Sequence, residues 1–284
     1  MSSNSTLVTQ IESPHSTEGK PLALFLPGLS GNNRQWDSVL ALMSEKQVQL
    51  AYGAPILAHS AFDGARPGVV QLGRAMDAEL RARGHDGDVV VVTHSVGAFV
   101  ALAMAHEAPD VVKSLVIVNG GLTSVARFID SPLRQLYRHP SSSWDYLRLF
   151  ALVGAPVPGA LKRAIASRRW SSRAVAGRFV SDAAMESAEQ REALIAEAGK
   201  FETLFSLRQN RHHWHEFQAY APEIRTPVHF IVGDRDPMTS ERDTRVMAGL
   251  LPNAEVTVLR GVGHAAPLEA AQTVATAIEA ALEA

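Results

Sequence analysis

The chain has 284 residues, 46% of them hydrophobic and 20% charged, with a formal net charge of −2. That size and apolar content suit one large α/β domain with an insertion and an ample core, while the near-neutral charge implies no general attraction to nucleic acid. Cysteine is absent, which excludes disulfides, a thiolate nucleophile and thiolate metal sites, and gives no sign of an oxidising compartment.

Met1 to Pro14 is polar and lacks an apolar signal core. No apolar run approaches the length of a membrane span. The expectation is a soluble cytoplasmic protein without a membrane partner; oligomeric state is not legible.

In chain order, Thr6 to Ile11 is a short candidate strand and Ser16 to Lys20 a turn. Leu22 to Leu26 reads as a buried strand stopped by Pro27-Gly28. The loop to Asn33 precedes a helix over Arg34 to Met43, with Asn32 or Asn33 as its N-cap. The next strand is either Val48 to Tyr52 or Ile56 to His59. A helix follows from about Gly68 to Arg83, ended by Gly84-His85-Asp86-Gly87.

The four valines Val89 to Val92 read as a strand buried on both faces. Val96 to His106, rich in Ala and Leu, reads as a helix. Between them Thr93-His94-Ser95-Val96-Gly97 leaves no room for an ordinary loop. Such an abrupt turn holds Ser95 up at the strand's end, beside a helix N-terminus. This is the nucleophile-elbow pattern G-x-S-x-G with Thr93 at the first position. Ser114 to Val118 is a further buried strand ending at Asn119-Gly120-Gly121. Alternating strands and helices argue for a mostly parallel sheet with helices on both faces, whose sites lie at the C-terminal strand edges.

That rhythm breaks after Asn119. The next clear strand begins at Pro227, 227 − 119 = 108 positions on, whereas a parallel crossover needs only roughly a dozen residues or more. Residues 1–120 and 223–284 therefore form the core domain, and 121–222 a helical cap lying over the sheet edge. Helices are expected at Trp144 to Leu152, Gly159 to Trp170, Ala188 to Arg208 and His212 to Tyr220. Ser131 to Val180 carries nine Arg/Lys against the single acid Asp145, and Ser181 to Glu202 carries six acids against two bases. Mutual pairing or solvation is the favoured reading of these blocks; a basic mouth for an anionic substrate is the sharper one. After the strand from Pro227 to Val232 come Gly233-Asp234-Arg235-Asp236-Pro237 and a helix over Glu241 to Leu250. A strand over Glu255 to Leu259, the loop Gly261-Val262-Gly263-His264 and a helix over Leu268 to Leu282 complete the chain.

A serine hydroxyl is a poor nucleophile at neutral pH and needs a base, which in turn needs an orienting acid. His264, in a Gly-flanked loop beyond a strand, is the base. Asp236 and Asp234 both qualify as the acid; Asp236 is preferred because it lies past the tight Gly233 turn, and Asp234 reads as a surface or turn-capping residue. An anionic intermediate needs fixed donors, here the backbone N–H groups of Val96 and Leu29. Trp36 is expected to line the pocket or pack beneath the Pro27-Gly28 loop. Asn119 is read either as meeting substrate or as a turn cap, and Trp214 or one of the clustered His212, His213 and His215 as lining the pocket. His94 is read as packed behind the turn. His212, His215 and Glu216 share a helical face, for which surface or core packing is preferred to a metal site.

Leu26-Pro27-Gly28-Leu29, Thr93-His94-Ser95-Val96-Gly97 and Gly233-Asp234-Arg235-Asp236 with Gly263-His264 resemble the motifs of capped members of the α/β-hydrolase superfamily. The likeness covers nearly everything from Leu22 to Leu282, and the separation 264 − 236 = 28 is similar to that of family members. Pro27-Gly28 stands where the family commonly has His-Gly. The resemblance implies a cofactor-independent serine hydrolase acting on a small-molecule carboxylic ester, thioester or lactone through an acyl-enzyme. The same triad on a similar fold also serves carbon–carbon bond hydrolysis, peroxide chemistry or epimerisation. A ligand-binding receptor with slow turnover is the reading from another class.

Overall fold

The computed structural model describes residues 8–10, 21–28, 33–43, 49–53, 69–121, 133, 203–236 and 238–284. Most of the 121–222 insertion lies outside the described residues, with its expected helices at Trp144 to Leu152 and Gly159 to Trp170 and both charge blocks. Leu29 and Pro237 lie outside them too.

Seven strands form one sheet: β1 (Val8–Gln10), β2 (Leu22–Leu26), β3 (Gln49–Gly53), β4 (Val89–His94), β5 (Val112–Val118), β6 (Val228–Gly233) and β7 (Ala254–Leu259). Their spatial order is β1-β3-β2-β4-β5-β6-β7. Only β1 runs antiparallel, at the edge against β3; the others are parallel. Of the two candidates for the third strand, the first is the one formed, since Gln49 to Tyr52 pairs with Leu22 to Phe25.

The helices are α1 (Asp37–Leu40, continuing a 3₁₀ turn at Asn33–Trp36), α2 (Val69–Ala82), α3 (Gly97–Glu107), α4 (Thr203–Tyr220), α5 (Glu241–Ala248), α6 (Ala266–Glu269) and α7 (Ala271–Glu283). The break expected between Arg208 and His212 does not exist, because α4 runs through it. The last helix is split by Ala270, whose φ of −138° is not helical.

Strand alternation builds the two apolar layers. Leu22, Leu24, Leu26, Val89 and Val91 face a layer completed by α2, α3 and residues of α4. Ala23, Phe25, Val90 and Val92 face the other, completed by Trp36, Val39 and the α7 residues Val274, Ala275 and Ile278. A strand buried on both faces cannot alternate apolar with polar, which is why β4 reads as unbroken valine. The chain builds leftward from β2 to β3, then crosses back to β4 and proceeds rightward. The crevice at that reversal, outside the C-terminal ends of β2 and β4, is where open α/β sheets take ligands. Among the described residues no helix is long and apolar enough to cross a membrane.

Gly233, the last residue of β6, shows how tightly this edge is packed. A Cβ there would lie 2.2 Å from the Val262 carbonyl oxygen and 2.7 Å from that of Gly263. Both are backbone atoms of the loop that carries His264. Gly233→Ala is therefore expected to cost about 1–3 kcal/mol, the usual range for overpacking, read from the urea midpoint at unchanged slope. An unchanged midpoint would show that the loop yields freely.

Candidate active site

Ser95 follows β4 directly. Its φ is +56°, a conformation that costs a non-glycine residue on the order of 1–3 kcal/mol and persists only where its surroundings enforce it. They do so here from three sides. Ser95 N–H donates to the Val118 carbonyl at 3.1 Å, and the Ser95 carbonyl accepts from Gly121 at 2.8 Å and Ala98 at 3.2 Å. Two residues on, a Cβ at Gly97 would sit 2.3 Å from Thr93 Oγ1 and 2.7 Å from the Pro27 carbonyl. The elbow has room for one side chain between strand end and helix start. Thr93 fills it, so Gly97 cannot. The Val96 N–H lies at the N-terminal end of α3, and Gly28 lies close by, since a Cβ on it would be 3.2 Å from Ser95 Cβ.

His264 and Asp236 arrive from the loops after β7 and β6. His264 Nε2 lies 3.1 Å from Ser95 Oγ, and its Nδ1 lies 2.7 Å from Asp236 Oδ2. A carboxylate accepts, so Nδ1 carries the proton and Nε2 is left to accept from the serine. Asp236 is 4% exposed, and an ion so buried must be well partnered. Five donors reach it. Met238 and Thr239 N–H bond Oδ1 at 2.7 and 3.1 Å, and Oδ2 accepts from His264 Nδ1, Thr239 Oγ1 and Asn119 Nδ2. Burial pushes the Asp236 carboxyl up, but the electrostatic attraction and hydrogen bond of His264 and the bonds from Thr239 outweigh it and hold the carboxyl below its ordinary value.

The His264 loop is held through its backbone by two further side chains. Glu269 accepts from the N–H groups on either side of the histidine, Gly263 at 3.1 Å and Ala265 at 3.2 Å. His94 Nε2–H donates to the His264 carbonyl at 2.8 Å. Burial first, and the neighbouring His264 second, push the His94 imidazole down to about 3. It is therefore neutral at ordinary pH, with the proton on Nε2.

The remaining expectations sort by position. Asp234 is not part of this chain of bonds; its Oδ1 accepts from Gly261 N–H at 2.7 Å, closing the turn after β7. Trp36 is fully buried, 5.3 Å from the Phe25 ring and edge-on to His94 at 6.5 Å between centroids. It packs in the apolar layer with Ala23, Phe25 and Val39. Trp214 is corrected from pocket to core: it packs on Phe217 at 5.8 Å in the apolar layer beside α3. Asn119, read either as meeting substrate or as a turn cap, is fully buried with its amide Nδ2 on Asp236 and on the Gly263 carbonyl. Leu29 lies outside the described residues. Glu269 and the backbone role of His94 were missed in the sequence. Glu269 leaves a signal there, an acid five residues past the histidine at the start of the helix expected over Leu268 to Leu282. Exposed His212 and buried His213 both approach Glu216, at 3.4 and 3.5 Å. Among the described residues no group of three His, Asp or Glu could hold a metal ion.

Residues 24–271 match the family model for the alpha/beta hydrolase fold; the chain belongs to that family. It is 25% identical, over 89% of its length and 88% of the other's, to RutD of Enterobacter cloacae, a protein designated a carbamate hydrolase. Among solved structures it is similar to BpoC of Mycobacterium tuberculosis, designated a non-heme bromoperoxidase, with a TM-score of 0.65 at 19% identity over 95% of each chain. It is also similar to the enol-lactonase of Burkholderia xenovorans, with a TM-score of 0.63 at 14% identity over 98% of this chain and 95% of that one. These structures share the fold.

Two buried neutral histidines set an acid limit on stability. His94 is pushed down to about 3 and His213, by burial against the pull of Glu216, to about 4. The unfolded chain binds protons at both as pH falls below about 6.5, while the folded chain does not. Their stabilising effect is complete above about pH 6.5 and is lost as pH falls towards 3–4, by up to about 1.4 kcal/mol per pH unit for each histidine. Urea unfolding free energies should therefore fall from about pH 6.5 downwards, and His213→Leu should flatten the slope by up to one proton. An equal slope in that variant would refute the assignment.

Proposed function

We propose that the chain is a serine hydrolase of a small carboxylic ester, thioester or lactone. The observation that carries this reading is the continuous hydrogen-bonded line from Ser95 Oγ through the His264 imidazole to the ionised, buried Asp236. Each member has the state its role requires: an elbow-held hydroxyl, a bare Nε2 and a carboxylate that keeps the proton on Nδ1.

In the reaction so assigned, Ser95 Oγ attacks the carbonyl carbon while its proton passes to His264 Nε2. Asp236 stabilises the imidazolium and is not itself protonated. The oxyanion is held by backbone N–H groups, Val96 at the head of α3 and Leu29 from the loop after β2. Collapse breaks the carbonyl carbon–oxygen or carbon–sulfur bond, and the leaving group takes the proton from Nε2. Water then gives a proton to His264, attacks the acyl carbon and releases the acid, and the proton returns to Ser95. The backbone strain at Ser95 belongs to this reading, since strained conformations concentrate where a side chain must be held for reaction. Residues 121–222 are assigned as the cap that selects the acyl group.

Ser95→Ala is expected to lower kcat on p-nitrophenyl acetate by at least roughly ten-thousand-fold and to abolish labelling by a fluorophosphonate. Retained turnover in that variant would sink the mechanism. Turnover of a β-diketone in place of esters by the unaltered protein would move the assignment to carbon–carbon bond hydrolysis.

A further inference from the structure

Resting on the reading above, we propose that Asn119 is a positioning residue for the reaction, a side chain that ties the acid to the backbone of the loop that carries the base. It stands where β5 ends, in the left-handed conformation with φ +46°. Asparagine adopts that conformation more readily than other side-chain-bearing residues. Its own N–H donates to the Ile231 carbonyl of β6 at 2.8 Å, so the backbone beneath the side chain is anchored to the sheet.

Its carboxamide Nδ2 donates to Asp236 Oδ2 at 2.5 Å and to the Gly263 carbonyl at 3.1 Å. Both partners are acceptors. Only the –NH₂ end of the amide can serve both, which settles its orientation. An aspartate in this place would set a second carboxylate against Asp236. A leucine would leave the Gly263 carbonyl and one lone pair of Asp236 without this donor in a site closed to water. Two positions on, Gly121 N–H holds the Ser95 carbonyl at 2.8 Å. The corner from Asn119 to Gly121 thus touches the acid, the loop of the base and the backbone of the nucleophile.

Asn119 touches no reacting atom in this arrangement. Its effect is on geometry: Asp236 Oδ2 must face His264 Nδ1, and the His264 loop must hold Nε2 against Ser95. A shift of about 1 Å in such a constellation costs on the order of a hundredfold in rate. Loss of the tie should therefore appear in kcat and not in substrate affinity.

The experiment uses the full chain with Asn119→Gly, which keeps the left-handed turn and removes the amide, and Asn119→Asp, which keeps the shape and removes the donor. With p-nitrophenyl acetate, kcat is expected to fall roughly 10- to 100-fold while KM changes by less than about two-fold. In proton NMR, the far-downfield signal of the His264–Asp236 hydrogen bond, assigned by its loss in Asp236→Asn, should shift or broaden in both variants. Folded variants with unchanged kcat and an unmoved signal would overturn the proposal. If neither variant folds, side-chain amide exchange of Asn119 in the unaltered protein decides: protected protons support it, and free exchange overturns it. Should Ser95→Ala stay active, the reaction assignment fails, whereas the downfield signal still reports on Asn119.

Discussion

A carboxylate closed off from water stays ionised only if donors replace the water it has lost. Asp236 is such a group, and much of the local architecture can be read as supplying its donors. The turn after β6 folds back so that Met238 and Thr239 offer backbone N–H groups. The end of β5 offers Asn119, and the loop after β7 offers His264. Ionised Asp236 then keeps the imidazole proton on Nδ1 and leaves Nε2 to accept from Ser95. If Asp236 lost its charge, that tautomer preference and the polarity of the whole line would go with it.

Bringing four strand ends together is the work of the parallel sheet. β4, β5, β6 and β7 are consecutive neighbours, so the residues that follow them emerge side by side at one edge. Ser95, Asn119, Asp236 and His264 each come from a different strand end. The loop of the base is then fixed by its backbone: Glu269 takes the two flanking N–H groups, while His94 and Asn119 supply donors to the carbonyls of His264 and Gly263. Polar backbone buried in a loop has to be paired in this way, and here the pairing also immobilises the histidine.

Much of this was legible in the sequence because it is written in local signals. Unbroken valine marks a doubly buried strand; Ser95, Asp236 and His264 each sit in a short Gly-flanked turn after a strand. What escaped depends on neighbours far along the chain. Asn119 before two glycines reads as a turn, and only the pairing of β5 with β6 brings it beside a residue 117 positions away. His94 is the variable position of the elbow, and its bond reaches 170 positions on. Trp214 looked like a pocket residue because an aromatic in a polar, His-rich helix carries no periodic signal; its place in the apolar layer shared with α2 and α3, far earlier in the chain, decides it. The third strand was ambiguous between two apolar runs until register with β2 chose one.

The central claim, that Ser95 attacks and becomes acylated, is tested most directly by trapping the intermediate. The protein mixed with p-nitrophenyl acetate and quenched in acid within the first turnovers should gain one acetyl group, and peptide mapping should place it on Ser95. Product formed without any adduct, or an acetyl group on another residue, would contradict the account.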